Sequence, residues 1–391
     1  MTSDLAHQVN RAYRKNFAAS PVVQIRAPGR INLIGEHTDY NNGFVLPAAV
    51  SQSIYFAIGK SNQKDRCSLI SLDYSQTYNF SLTDLPRLPA GSWQNYILGV
   101  VDEIVKSGRK LEGFNIVFGG DIPQGSGMSS SAALECGACF GLNELFQLNI
   151  PKLEMVKMSQ MAEHNYARVQ CGIMDQFASM MGKTGQAFRL DCQSLDYDYF
   201  PLDLKEYSLM LCNSNVEHNL ASSEYNVRRQ QCEEGVSILQ KHYPEIHSLR
   251  NATLENLDVI ANELSDIIYQ RCRYIIEENQ RVIAFSEALS VFNLLKAGEI
   301  LKEAQQGMKN NYEITCPEID FMADFANSRK DVAGARMMGG GFGGCTLNLI
   351  RKGSEASFAV ELNKAYKEKF QKEITPIAIQ IAEGVSLIET E

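Results

Sequence analysis

The stretch from Gly113 to Phe140 limits what this chain can fold into more than any other. Gly113-Phe114-Asn115-Ile116-Val117-Phe118-Gly119-Gly120 reads as a strand ending in glycines. The loop Gly125-Ser126-Gly127-Met128-Ser129-Ser130-Ser131 follows and runs straight into a helix of small residues, Ala132 to Phe140. A helix N-terminus leaves backbone N–H groups unpaired and carries partial positive charge. Glycines let that backbone approach a phosphate closely. Serine hydroxyls can bond phosphate oxygens or ligate a hard cation such as Mg²⁺. An ordinary serine N-cap needs one hydroxyl, and three stand here in succession, so phosphate binding is the expectation. Cys136 and Cys139 form a C-x-x-C pair in the same run. No second pair or His cluster joins them at zinc spacing, and core packing is the reading.

The rest of the chain mixes strands and helices. Its 391 residues exceed one ordinary core and imply two domains. Strands are expected within 22–60, 113–120, 186–191, 207–213, 345–350 and finally 376–382; helices within 92–107, 132–140, 151–169, much of 221–306, and 355–370. The strands are grouped rather than strictly alternating with helices, which gives an α+β class. A composition shift near 200–215 is the boundary signal. No apolar run reaches the roughly 18 residues that span a bilayer. The polar segment Met1 to Arg14 lacks the apolar core of a secretory signal. A net charge of −9 argues against general nucleic-acid binding. The ten scattered cysteines fit reduced thiols in a cytoplasmic protein.

A second stretch, Arg26 to Tyr40, sets Arg30, Glu36, His37 and Asp39 within ten residues around an apolar run broken by Gly29 and Gly35. Charges beside strand-like sequence are costly unless they pair. Together the four suit a ligand with many hydroxyls; a solvated polar turn reads equally well. Glu163 lies in Met161 to Tyr166 on an expected helix and Asp175 among mostly apolar neighbours, each as a helix cap, a buried bonding partner or a functional group. His37 and His164 receive no metal role. Two motifs are decoys. Gly182-Lys183-Thr184 lacks the Walker A glycine five residues before Gly182, where Phe177 stands. Gly339, Gly341 and Gly344 satisfy G-x-G-x-x-G, yet a strand-like run follows them where a dinucleotide site needs a helix. Those glycines read as a flexible or tightly packed loop, with pocket lining as the other option.

The Arg26–Tyr40 stretch closely resembles the galactokinase signature, and the two glycine loops resemble the other blocks of the GHMP kinase superfamily. Ala162-Glu163-His164, Cys171 to Phe177, Asn213 to Val216, and Ala221 to Tyr225 with Arg228-Arg229 are similar too. The resemblance implies a two-domain GHMP kinase fold. Its N-terminal domain, about 1–205, would be like ribosomal protein S5 domain 2, and its C-terminal domain, about 206–391, an α/β sandwich, with the active site between them. It implies ATP-dependent phosphorylation of the C1 hydroxyl of α-D-galactose. Carried over by position, Glu36, His37, Thr38, Asp39, Gly172 and Tyr225 hold the sugar. Gly125, Ser126, Gly127, Met128, Ser129, Ser130 and Ser131 hold ATP, and Ser131 and Glu163 position Mg²⁺. Asp175 is the catalytic base with Arg30 beside it, where a cation favours the ionised carboxylate and stabilises transition-state charge. A cytoplasmic monomer, with neither nucleic acid nor membrane as partner, is the accompanying expectation. Met128 replaces the commoner Leu, and Ala335 and Met338 stand where relatives often carry small hydroxyl residues. The alternatives are a non-catalytic galactose sensor, though Ser129 to Ala133 is intact, and a kinase for N-acetylgalactosamine, arabinose or galacturonate.

Overall fold

The computed structural model describes residues 2–216 and 221–388, with 2, 3 and 221–223 described by backbone alone. Met1 of the polar N-terminal stretch and the side chains of Ala221, Ser222 and Ser223 therefore lie outside the described residues.

Helix α1 (Thr2–Phe17) forms from that polar stretch because Leu5, Val9 and Tyr13 recur at helical spacing and pack against Tyr55, Ala57 and Val117. The strands β1 (Val23–Asn32), β2 (Phe44–Val45), β3 (Pro47–Lys60), β4 (Arg66–Ser71) and β5 (Gln76–Ser81) follow. Then come α2 (Gln94–Lys106), β6 (Phe114–Gly120), α3 (Ser130–Phe146), α4 (Lys152–Ala162), α5 (Met174–Met181), β7 (Gln186–Asp191) and β8 (Tyr197–Pro201). The remaining elements are β9 (Tyr207–Asn213), α6 (Ala221–His242), α7 (Leu254–Val259), α8 (Asp266–Ser290), α9 (Leu294–Gly307), α10 (Pro317–Asn327), β10 (Val332–Met338), β11 (Cys345–Arg351), α11 (Glu355–Phe370), β12 (Thr375–Ala378) and β13 (Ser386–Leu387).

The largest sheet has the order β13-β1-β3-β6-β4-β5, with α1 on one face and α2–α5 on the other. The small residues of α3 allow a close approach: a Cβ on Gly137 would collide with the Phe56 ring. The second sheet, β10-β11-β9-β12, is antiparallel throughout. Its period of two is plain in β9. Leu209 and Leu211 join α8 and α9, while Met210 and Cys212 join α11 and Ala335 of β10. A three-stranded sheet, β2-β7-β8, completes the set.

Strand β1 spans two cores. Ile25 and Ala27 belong to the core under α3, whereas Ile31 and the following Leu33 belong to the core of the second sheet. Its pairing with β3 shifts register between Pro28 and Arg30. This bulge turns Arg30 toward the junction of the two cores.

The chain end departs from the expected strand at 376–382. Pairing with β9 stops at Ala378, Ile381 makes a single bridge to Val50, and β13 then pairs with β1. The cause is Val385, which buries into the core of the first sheet while Gly384 threads past Gly182 with a 2.9 Å backbone bond. The second half expected at 206–391 thus returns its end to the first sheet. Arg336-Met337-Met338, just ahead of the glycine loop, lies within strand β10.

Candidate active site

Three adjoining cavities lie where the cores meet. The inner one, about 240 Å³, is lined by Arg30, Glu36, His37, Asp39, Glu163, Gly172, Asp175, Tyr225 and Gly339–Gly341 among others. The loop cavity, about 330 Å³, is lined by Gly125–Ser131 with Arg30, Tyr96, Asp175 and Gly340. The outer, aromatic cavity, about 430 Å³, is lined by Tyr74, Trp93, Tyr96, Ser130 and Ser131 among others. Arg30, Asp175 and Gly340 therefore face both inner and loop cavities, and Tyr96, Ser130 and Ser131 face both loop and outer ones.

Asp175 sits in the first turn of α5, and Arg30 follows the β1 bulge. The Arg30 Nε and Nη2 groups each donate to the Asp175 carboxylate at 2.8 Å. This two-point pairing fixes both side chains. The Arg30 Nη1 donates to the Gly127 carbonyl, and its backbone N–H donates to the Met128 carbonyl at 3.0 Å. Arg30 thus joins the carboxylate to the loop. The loop itself is held by Gly125 at φ 66°, Gly127 at φ 69° and Ser129 at φ 55°, the last an unusual left-handed serine ahead of α3. The Ser129 hydroxyl donates to Asp175. Ser126 is buried with its hydroxyl on the Pro123 carbonyl, and the Met128 side chain is in the second core. Both line the loop cavity, yet neither side chain offers a free polar group to it.

The signature residues divide. The Glu36 carboxylate, 1% exposed, is paired with Arg336 and accepts the Gly339 N–H at 3.1 Å. Burial, only partly offset by Arg336, raises its pKa. Asp39 lines the inner cavity, and burial together with the Asp175 charge pushes its carboxyl up to about 7. One expectation needs correction. Thr38 is fully buried and does not line the inner cavity, because its hydroxyl bonds the Gly35 carbonyl at 2.9 Å and the Phe44 carbonyl at 2.6 Å. Its role is to close the turn. His37 lines the cavity with its ring, but both ring nitrogens have protein partners: Nδ1 meets the Tyr40 hydroxyl at 2.7 Å and Nε2 the Gly340 carbonyl at 3.1 Å. Its ring packs against Tyr225 in a tilted arrangement with centroids 4.8 Å apart.

A Cβ on Gly172 would overlap the Asp39 carboxylate. Gly172→Ala is therefore expected to displace that carboxylate and raise the KM for the inner-cavity substrate about tenfold with kcat little changed, an overpacking cost of about 1–2 kcal/mol. Steady-state kinetics checks this.

Glu163 begins a π turn, Glu163–Ala167, at the end of α4. Such turns recur at functional sites. Its carboxylate accepts from Gln176 Nε2 at 2.7 Å, and the nearby Ser131 hydroxyl favours its ionised form. Burial and the Asp175 charge push Glu163 up to about 7. Gln176 also donates to Glu135, wholly buried, at 3.0 Å. The sequence reading passed over Glu135 and Gln176, since one lies in a run read as packing and the other has no distinguishing signal. It also passed over Arg336 and the aromatic cavity. Trp93 is the single tryptophan of the chain and stacks within 7° of parallel on Tyr74; that rarity was the available signal.

Similarity to known proteins identifies the class. Residues 95–183 match the family model for the GHMP kinases N terminal domain, and residues 285–368 that for the GHMP kinases C terminal. A crystal structure of a mevalonate kinase superposes with a TM-score of 0.64 at 16% identity, covering 92% of this chain and 99% of that one, a likeness of fold. These matches define a GHMP kinase architecture.

Residues 11–60 match the galactokinase galactose-binding signature. The galactokinase of Thermotoga neapolitana is 39% identical over 366 residues, 94% of this chain and 100% of that protein. That of Clostridium acetobutylicum is 37% identical over 388 residues, 98% of this chain and 100% of the relative. The crystal structure of Lactococcus lactis galactokinase complexed with galactose superposes with a TM-score of 0.94 at 32% identity, over 98% of this chain and 99% of that one. The chain belongs to the galactokinase family.

Proposed function

We propose that this chain transfers the γ-phosphoryl group of ATP to the C1 hydroxyl of α-D-galactose, giving galactose 1-phosphate and ADP. One observation carries the reading: Asp175 and Arg30 line the wall shared by the inner and loop cavities. A sugar in the first and a phosphate chain in the second meet at that wall.

In this reading galactose occupies the inner cavity against Glu36, Asp39, Gly172 and Tyr225. The triphosphate lies along Gly125–Ser131, and the adenine base enters the cavity of Tyr74 and Trp93. Asp175 takes the C1 hydroxyl proton as the sugar oxygen bonds to the γ-phosphorus and the bond to the β-phosphate oxygen breaks. Phosphoryl transfer depends mainly on positioning and charge. Arg30 supplies both, because it is anchored to Asp175 and to the Gly127 carbonyl at once. Ser131 and Glu163 fit a hard cation: oxygen donors, with a buried carboxyl whose raised pKa a positive charge would relieve. Mg²⁺ held there would neutralise charge on the phosphate oxygens.

The ten cysteines are all unpaired thiols, which suits the cytoplasm. No helix among the described residues is long and apolar enough to cross a membrane. A monomer completes the proposal.

The test is ADP release measured with galactose, N-acetylgalactosamine, arabinose and galacturonate. Turnover should be greatest with galactose. Tight galactose binding without ADP release from any sugar would replace the kinase by a sensor.

A further inference from the structure

We propose that Tyr312 and Tyr40 position the glycine loop over the galactose site through a one-directional hydrogen-bond chain that ends, by way of His37, on the Gly340 carbonyl. The inference rests on the galactose reading of the inner cavity.

The direction follows from what each atom can do. A carbonyl oxygen only accepts, so the 3.1 Å contact to Gly340 places the ring proton of His37 on Nε2. A neutral imidazole then has a bare Nδ1, which only accepts, and the Tyr40 hydroxyl must donate to it across 2.7 Å. With its proton committed, Tyr40 accepts from the Tyr312 hydroxyl at 2.7 Å. Tyr312 in turn accepts from the Cys232 thiol at 3.2 Å, and burial keeps that thiol protonated by pushing it up to about 11. His37 is neutral because burial, reinforced by the nearby Arg228 charge, pushes it down to about 4.

The surroundings hold the chain rigid. Tyr312 is fully buried at the end of a π turn, Met308–Tyr312, and stacks on Tyr274 at 4.5 Å. Arg228 Nε donates to the Tyr312 carbonyl at 2.8 Å. His37 itself is in the left-handed region at φ 63°, a conformation kept where surrounding contacts determine it. Neither Tyr40 nor Tyr312 lines the inner cavity, whereas Gly340 lines both it and the loop cavity. The two tyrosines are positioning residues that act through His37, although the Tyr40 ring also packs edge-on against Tyr225 at 5.2 Å.

Two measurements test this. In wild-type protein with ¹⁵N-labelled histidine, His37 should show the Nε2-protonated tautomer with Nδ1 accepting; Tyr40→Phe should move the Nδ1 resonance toward its unbonded position. In kinetics, Tyr40→Phe should raise the galactose KM about fivefold with kcat nearly unchanged, the worth of one neutral hydrogen bond. Tyr312→Phe should act in the same direction and less strongly. Because the links are in series, the double variant should be no worse than Tyr40→Phe alone. An Nδ1-protonated His37, or KM increases that multiply in the double variant, would overturn the proposal. Wild-type ADP release with galactose is read in parallel, so failure of the kinase reading is distinguishable from failure of the chain.

Discussion

Asp175→Asn is expected to remove turnover while leaving the galactose site filled. Loss of a positioned general base lowers kcat by about 10²–10⁴, the upper figure corresponding to about 5 kcal/mol of barrier. The substitution is nearly isosteric. It leaves Arg30 its bond to the Gly127 carbonyl, so the loop keeps its anchor. Calorimetry should find galactose affinity within about threefold of wild type, since one changed hydrogen bond is worth about 1 kcal/mol or less in net. Asp39→Asn makes the contrast: it lies in the same cavity but should raise KM more than it lowers kcat. Near-normal turnover by Asp175→Asn would remove Asp175 from the role of base.

The other large effect is structural. Arg336 is fully buried and makes four contacts at once. It pairs with Glu36, donates to the Asn32 and Leu33 carbonyls, the latter at 2.8 Å, and to the Met337 carbonyl at 2.7 Å. Arg336→Met should destabilise the protein by about 3–5 kcal/mol, because a buried carboxylate loses its partner and three carbonyls lose a donor. The midpoint of thermal unfolding should fall by about 4–6 °C. The paired substitution Arg336→Met with Glu36→Gln removes the stranded charge and should recover part of that loss. It should not recover galactose affinity, because the Gly339 N–H would then meet an amide rather than a carboxylate. A midpoint unchanged in Arg336→Met would show that the ion pair contributes little to the fold.

Arg336 also shows where sequence reading stops. The seven residues of β10, Val332–Met338, are all buried. No alternation marks them as a strand, and an arginine among them resembles an interruption. Only the fold reveals that its partner, Glu36, arrives from the other end of the chain. By contrast the strand, loop and small-residue helix from Phe114 to Phe146 were legible, because local chemistry there decides local structure. Asp175 and Glu163 were recognisable as unusual, but their tasks were not, since a carboxylate among apolar neighbours looks the same as cap or catalyst. His37 and Thr38 were read as sugar contacts because residue type states what a side chain can bond, and only geometry states what it already bonds. The helix α1 was missed because few apolar residues stand among its charges.

Strand β13 joins its first neighbour only after nearly the whole described chain has been made, since Ile25 pairs with Leu387. During synthesis at about 5–20 residues per second, β1 waits on the order of tens of seconds with that edge open. The helices and β3 can assemble in the meantime, but the last hydrogen bonds of the first sheet must wait until Ser386 and Leu387 are made. An open strand edge is where nascent chains pair with one another. Yield in the cell therefore depends on how that edge is shielded, and a bulky fusion placed after Leu387 should lower soluble expression without touching the chemistry at Asp175.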